Sequence, residues 1–485
     1  MNERISPPPL RRRVTGIHKH EASSPTAIFA TVPQDSLQYH HGLGPLRLFS
    51  WNVNGIAPFI AHYLPSRNLQ QQDLRSFFDS DPTKRKRKRK QVDTSDESDS
   101  SDGRIGNGQR PGVAIGYEDD PRREGRPSLR NALRRYEWPH VLFLQEVKIK
   151  HGDDQTMDAA RAAVNDASPK SISCPTDTGE GGRGINDQEK RIDPPHRLSD
   201  GGPAYDVHFN LPWDRHNATG WGGKLYGVAA VIRRDFAERY VECVRDVEWD
   251  REGRIQVIET KELTFPIRDS PQTRKAPATT QQEQEIKFAL INIYAVNGTS
   301  AAYRSSETGA VIGTRHDRKL AVHYELLCEA KRLEARGFAV VIAGDLNVAR
   351  DARDGHPNLR TNPHQHVLNR ADFNRKFFSD GPVGLDVGAR RALYSSERRK
   401  GRETEKHMTG LDAIDTFRHT KGTERRYSYY SRGREWGTSC DRVDLIIASK
   451  TLDGFILDAG ICDNQRDRGP SDHCPVWVEF AKRVE

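Results

Sequence analysis

Six polar clusters stand where apolar strings of this sequence stop. FSWNVNG ends in Asn52 and Asn54, LFLQEVK in Gln145, Glu146 and Lys148, and INIYAVNG carries Tyr294 and Asn297. VIAGDLN ends in Asp345 and Asn347, DRVDLI opens with Arg442 and Asp444, and GPSDHCPVWV presents Asp472 and His473 before a final apolar string. One such cluster is an ordinary turn: Asn before Gly, or Asp two residues before Asn, closes a strand without any chemistry. Six of them, supplying carboxylates, carboxamides and one imidazole, predict a convergent cleft at one edge of a sheet. On an extended chain Asp345 and Asn347, two residues apart, share a face.

The chemistry that wants this set is metal-assisted phosphodiester hydrolysis. A hard cation such as magnesium, with manganese as the alternative, takes oxygen ligands and keeps several waters. A carboxylate can take the proton of an attacking water while amides and an imidazole hold phosphoryl oxygens. His and Cys at zinc spacing and the GxxxxGK[ST] loop are both missing, which argues against a zinc hydrolase or a P-loop NTPase. Read singly, the residues keep other roles open. Asn54 and Asn297 suit turns, Tyr294 a strand core, Lys148 a solvated surface, and His473 a structural position.

The elements that must position these groups are legible as strands. LRLFSWNV, HVLFLQEV, YGVAAVIRR, KFALINIYAV, FAVVIAGDLN, RVDLIIAS and PVWVEF have strand length and β-branched content. A helix is predicted from about His316 to Arg336, with Leu320, Tyr324 and Leu327 on its apolar face and Gly337 as its stop. Residues 1–44 read as a disordered arm, and 45–482 as one α/β catalytic domain. Polar stretches at about 66–126, 150–202 and 269–285 read as disordered insertions.

Composition supports the same picture. Of 485 residues only 35% are apolar and 30% are charged, lean for a chain folded throughout. The net charge of +8 is concentrated in the run Lys84 to Lys90, followed by an acidic tract, yet the remainder stays basic. That balance fits a polyanionic partner. The KRKRKRK run suits importin-type recognition and a nuclear location. The stretch 418–437 mixes cations with aromatics, as phosphate contact and base stacking require. Six scattered cysteines with no CxxC spacing point to a reducing compartment. No apolar run reaches the ~18 residues of a membrane span, and MNERISPPPLRRR lacks an apolar leader core. A monomer is expected.

The blocks WNVNG, LQEVK, GDLNVA, DTFR, RVDLIIAS and SDHCPV, in this order, resemble the exonuclease III-like apurinic/apyrimidinic endonucleases. That family lies within the wider endonuclease/exonuclease/phosphatase superfamily, and the resemblance runs from about Leu46 to Phe480. It implies a four-layer α/β sandwich, two facing β-sheets flanked by helices, with the site at one end of the sheets. It implies a magnesium-dependent DNA phosphodiesterase of base-excision repair, cutting 5′ to abasic sites, with 3′-exonuclease activity as a companion. In it Glu146 looks like the principal metal ligand, with Asn54 and Asp472 near the ion. Asp345 and Asn347 would orient and deprotonate water, and His473 would meet the phosphate, polarised by Asp444. Tyr294 joins this catalytic set. Asn52, Asn297, Lys148 and Arg442 would complete the phosphate network, and Trp436 is the candidate aromatic of the substrate pocket. Asp441 stands where many members of the family place a tryptophan. Two other readings share part of the pattern. One is a different branch of the superfamily (a tyrosyl-DNA phosphodiesterase, RNA deadenylase or inositol phosphatase), the other a non-catalytic nucleic-acid-binding scaffold.

Overall fold

The computed structural model describes residues 44–64, 127–166, 198–218, 226–265, 284–378 and 409–481. The expected N-terminal arm up to residue 43, the run Lys84–Lys90 and the expected insertion at 66–126 lie outside the described residues.

Every apolar string forms a strand. In chain order the sheet strands are β1 Leu46–Asn52, β2 Val141–Gln145, β3 Tyr205–Asn210, β4 Val228–Arg233, β5 Val241–Asp246 and β6 Ile255–Phe265. They continue with β7 Gln284–Tyr294, β8 Phe338–Asp345, β9 Ile414–Asp415, β10 Asp444–Ala448, β11 Ile456–Ile461 and β12 Val476–Phe480. The helices used below are α1 Leu129–Arg135, α2 Asp154–Val164, α3 Arg315–Ala335, α4 Gln365–Phe377 and α5 Thr416–Lys421.

The strands build two six-stranded sheets, ordered β11-β12-β1-β2-β4-β3 and β9-β10-β8-β7-β6-β5. Each sheet has one parallel pair near its middle, β1 with β2 and β7 with β8. All other pairings are antiparallel. The sheets face one another across a shared core that includes Leu46, Val141 and Phe143 from the first and Ile258, Leu290 and Val341 from the second. A second core lies between the other face of β6, β7, β8 and β10 and helices α3 and α4. A third lies between the first sheet and helices α1 and α2. Three cores separate four layers, the α/β sandwich that the family resemblance implies.

Helix α3 departs from its sequence reading by rotation about its axis. It spans Arg315–Ala335, opens on a capping box between Thr314 and Asp317, and is followed by Gly337 at φ +86°. Its buried stripe is Lys319, Val322, His323, Leu326, Leu327, Ala330 and Leu333, while Leu320 and Tyr324 are half-buried at its margin. A lysine and a histidine on that stripe hid its true centre from hydropathy. Two edges of the expected insertions are also corrected. Residues 154–164, expected disordered, form α2, capped by Asp153 accepting from the Thr156 backbone N–H at 3.1 Å. Its core face is Ala159, Ala160, Ala163 and Val164, side chains too small to register as an apolar period. Gln284 and Glu285, placed in the third insertion, already belong to β7, where they continue the β6 ladder. Among the described residues no helix is long and apolar enough to cross a membrane.

The parallel pairs bring strand ends together. Because β1 and β2 run the same way, Asn52 sits beside Gln145 at their common C-terminal edge. In the second sheet Tyr294, Asp345 and Asp444 occupy adjacent register positions on β7, β8 and β10. The close approach of β8 to β7 there depends on Gly344. Its φ is +152°, and a Cβ would lie 1.9 Å from the Ile293 carbonyl oxygen. Gly344→Ala should therefore lower unfolding stability by about 3 kcal/mol or more. An unmoved urea midpoint in that variant would contradict the approach.

Candidate active site

The ends of β1, β2, β7, β8 and β10 and the loop before β12 supply the site. Beyond the strands, Asn54, Glu146, Lys148 and Asn347 all have left-handed backbone, with φ between +50° and +57°. Each such residue costs about 1–2 kcal/mol relative to ordinary backbone. Four of them at neighbouring strand exits mean that the surrounding contacts hold the chain in turns that aim side chains into the cleft. The Asp345–Asn347 pair shows how. The two groups meet through a turn rather than along a strand face. The Asn347 backbone N–H donates to Asp345 Oδ1 at 2.9 Å, and its side-chain amide donates to Oδ2 at 3.3 Å and to the Ala295 carbonyl at 3.0 Å. The turn and the polar site are one object.

Asn52 joins the two sheets. Its carboxamide nitrogen donates to Glu146 Oε1 at 3.2 Å and to Asp345 Oδ2 at 3.0 Å, and its oxygen accepts the Asn54 backbone N–H at 2.9 Å. On one side of this hub, the Lys148 ammonium lies 3.0 Å from Glu146 Oε2 and contacts the Asn54 side-chain oxygen. The Asn54 amide in turn donates to Asp472 Oδ1 at 2.6 Å. On the other side, His473 Nδ1 lies 2.8 Å from Asp444 Oδ2, and its Nε2 is 4.0 Å from Asp345 Oδ2. Ser471 ties this loop to β1: its hydroxyl donates to the Asn52 carbonyl at 2.6 Å and accepts the His473 N–H at 3.0 Å. The Tyr294 hydroxyl bonds to Glu146, and the Arg254 guanidinium lies 3.9 Å from the Tyr226 ring and 4.9 Å from that of Tyr294.

The groups differ in charge state because their surroundings differ. Burial works to raise Glu146, but the Lys148 ammonium, the Tyr294 hydroxyl and the Asn52 amide hold it below its ordinary value. Burial and the neighbouring Asp444 carboxylate push Asp345 up to about 7, against the opposing charge of His473 and the Asn347 N–H. Burial also opposes the imidazolium of His473, yet the Asp444 and Asp345 carboxylates raise it well above the ordinary 6.5. Asp444 Oδ1 is buried and accepts no hydrogen bond. One acid carrying a proton near neutrality beside a charged imidazole is a pattern of catalytic sites.

The structure thus gathers Asn52, Asn54, Glu146, Lys148, Tyr294, Asp345, Asn347, Asp444, Asp472 and His473, and it separates the rest of the sequence-predicted set. Asn297 is exposed in the turn after β7 and joins none of these bonds. Arg442 is 1% exposed and is clamped between Asp354 and Asp415, both at 2.7 Å, with Arg350 and Arg418 on the same two carboxylates. With its donors so committed, it holds strands together rather than meeting a phosphate. Trp436 stacks on Tyr430 at 3.6 Å with 8° between the rings, so its nearer face is occupied. Asn52 and Lys148, expected to touch substrate, bond to the carboxylates of Glu146 and Asp345 and set them in place. Within the basic stretch 418–437, Arg418 pairs with Asp354, while Arg425, Arg426, Arg432 and Arg434 are exposed, with Arg426 on Glu424 and Asp463 and Arg432 3.6 Å from Asp472 Oδ2.

Sequence reasoning missed Ser471 and Lys319. Lys319 is fully buried and donates to the carbonyls of Val296, Leu346 and Asn347 at 2.8, 3.1 and 3.0 Å. Its signal was the spacing 319, 322, 326, 330, 333, a lysine in register with an apolar stripe. Burial pulls its pKa down to about 7, with Asp345 opposing. Three carbonyls on one nitrogen require three N–H donors, which only the ammonium form supplies.

Two groups of ligand-type atoms lie in the cleft. Among the described residues, those of Asp345, Asp444 and His473 fall within 4.8 Å of one another, a group able to hold a metal ion. The oxygens of Glu146, Asn54 and Asp472 form the second, and the Lys148 ammonium already lies against the first two. An all-oxygen set that collects a cation fits a hard divalent ion. At the first group Asp444 is engaged by a charged imidazole, which repels a cation.

The model of the Endonuclease/Exonuclease/phosphatase family matches residues 49–473. No curated protein matches the chain. Among solved structures it is similar to the catalytic domain of APE2 from Xenopus laevis, at 14% identity over 90% of this chain and 93% of that one, TM-score 0.46. It is also similar to an AP endonuclease from Archaeoglobus fulgidus, at 15% identity over 90% and 99%, TM-score 0.40. The 3′ phosphatase NExo from Neisseria, bound to product DNA hairpin, gives 14% over 90% and 99%, TM-score 0.42.

The raised state of His473 can be measured directly. Its pairing contributes stability that is complete below about 6.5, the unfolded value, and is lost as pH rises through the folded one. In Asp444→Asn the ring titration followed by NMR should fall, because burial then acts without its nearest counter-charge. A ring that titrates unchanged in that variant would remove the pair from the site.

Proposed function

Since the chain belongs to the endonuclease/exonuclease/phosphatase family, we propose that it is a divalent-metal-dependent phosphodiesterase that cuts DNA, incising 5′ to abasic sites in base-excision repair. The observation that carries this reading is the Asn52 hub, which holds Glu146 and Asp345, acids from different sheets, in one hydrogen-bonded cluster with His473 nearby. The ordered blocks WNVNG, LQEVK, GDLNVA, DTFR and SDHCPV support the branch.

In this reading Asp345 takes a proton from a water held by Asn347. The water oxygen attacks phosphorus, and the bond to the departing 3′ oxygen breaks. Asp345 suits the task because its ionisation lies near neutrality. The His473 imidazolium, kept charged by Asp444, donates Nε2–H toward a phosphoryl oxygen, and Tyr294 fixes Glu146. Glu146, Asn54 and Asp472 would hold a magnesium or manganese ion, which when bound supplies positive charge against the phosphoryl oxygens. The exposed Arg425, Arg432 and Arg434 would meet the phosphate backbone. Lys84–Lys90 is read as an importin-recognised nuclear address, and the protein as a monomer.

One observation favours a second reading within the same chemistry, in which 3′ ends are trimmed instead. Asp441 is buried and paired with Arg360 at 2.8 Å, so this position offers an ion pair where the resemblance expects a ring for a flipped-out sugar.

The test is a substrate panel with magnesium: a duplex with one abasic analogue, plain duplex, 3′-blocked ends and polyadenylate RNA. Nicking of the abasic strand is expected, abolished by EDTA and reduced at least about 100-fold in Glu146→Gln. The rate should climb as pH passes through about 7, where Asp345 loses its proton. Equal cutting of plain duplex would remove the abasic assignment, and cleavage of nothing on the panel would remove the enzyme. For the nuclear address, a fluorescent fusion in which Lys84–Lys90 is neutralised should leave the nucleus; unchanged nuclear signal would refute it.

A further inference from the structure

Lys319 takes no part in the chemistry proposed above, yet it is built into the site. Its stem is enclosed by Gly298, at which a Cβ would come within 2.6 Å of Lys319 Cδ, and by Asn369, whose amide donates to the Gly298 carbonyl at 3.3 Å. Its ammonium meets three backbone carbonyls and no carboxylate. A buried lysine without an ion-pair partner is costly to keep, and packing against α4 needs no charge there. The three carbonyls belong to two segments. Val296 follows β7, and Leu346 and Asn347 follow β8. The same two segments are joined by the Asn347 amide on the Ala295 carbonyl at 3.0 Å and by the Ala295 N–H on the Asp345 carbonyl at 2.8 Å. Asn347 is also the residue whose left-handed backbone turns its amide onto Asp345.

We propose that Lys319 is a positioning residue: its ammonium clamps the Val296 and Asn347 carbonyls, fixes the left-handed turn at Asn347, and thereby aims the Asn347 amide and the Asp345 carboxylate at the water. The inference deepens the hydrolase reading and shares its reaction. Lys319 touches neither water nor phosphate, and its effect passes through Asn347. The ammonium is suited to this because its three N–H bonds radiate from one atom, so a single side chain fixes two loops at once. No neutral side chain of that length donates three times from one nitrogen.

The experiment compares Lys319→Met, Asn347→Ala and the double variant, reading kcat and KM on whichever panel substrate the wild type cuts, with hydrogen exchange on the same proteins. In Lys319→Met the Ala295 and Leu346 amides should exchange at least about tenfold faster, as local opening of the clamped segments becomes easier. Its kcat should fall about 10- to 100-fold with KM within about twofold, the mark of misplacement rather than lost binding. The double variant should be no slower than the slower single variant, because both changes break one unit. Losses that multiply, or a kcat that does not change, overturn the positioning role. If Lys319→Met does not fold, Lys319→Gln, which keeps two donors and no charge, is read in the same way. A wild type that cuts nothing defeats the hydrolase reading, and the clamp then stands or falls on exchange alone: unchanged protection of Ala295 and Leu346 refutes it.

Discussion

A single carboxamide carries the architecture of the cleft. Asn52, fully buried at the end of β1, gives hydrogen bonds to Glu146 from its own sheet and to Asp345 from the facing one. Two carboxylates from different sheets would otherwise separate, since like charges in a poorly solvated space repel strongly. A neutral donor with two N–H bonds suits this junction. A cation would neutralise the acids, and an apolar side chain would leave them unpaired. The backbone oxygen of Asn52 also receives Ser471, so the loop with Asp472 and His473 is referenced to the same residue.

Around that hub the charges are distributed rather than cancelled. Lys148 sits with Glu146, and Asp444 with His473, while Lys319 reaches Asp345 only through the field and the backbone. Asp345 has the His473 imidazolium 4.0 Å away, but burial and the Asp444 carboxylate outweigh it and its proton affinity rises. Glu146 faces the opposite way, with three donors keeping it ionised. Two carboxyls bridged by one amide therefore hold different protonation states, which lets one take protons while the other attracts cations.

The sequence reading succeeded where the signal was local. Seven apolar strings became strands, and the polar residues at their ends became the cleft, because a strand exit and a sheet edge are the same place in an α/β sandwich. It failed where a residue's partner lies far along the chain. Arg442 looked like a phosphate contact, yet its donors go to Asp354 and Asp415, 88 and 27 residues away. Lys148 looked like a solvated surface charge when read singly, and it is half-buried against Glu146. Lys319 was invisible as a site residue because a cation in a helix reads as solvent-facing unless its apolar stripe is drawn through it. Helix α2 was missed because alanine packs well and scores poorly.

By itself, the sequence determined seven of the twelve strands of the two large sheets, the α/β class, the clustering of acids and amides at strand ends, and the family blocks. Periodicity and composition act over a few residues, and those properties need nothing longer. The tertiary structure alone decided which polar residues gather in the cleft and which brace the fold, and which carboxyl is pushed toward keeping its proton. Those outcomes depend on burial and on groups within a few ångströms, contributed by residues far apart along the chain, as with Trp51 and His473, 422 positions apart. Coulombic and hydrogen-bonding energies fall with distance through space, and distance along the chain does not enter them.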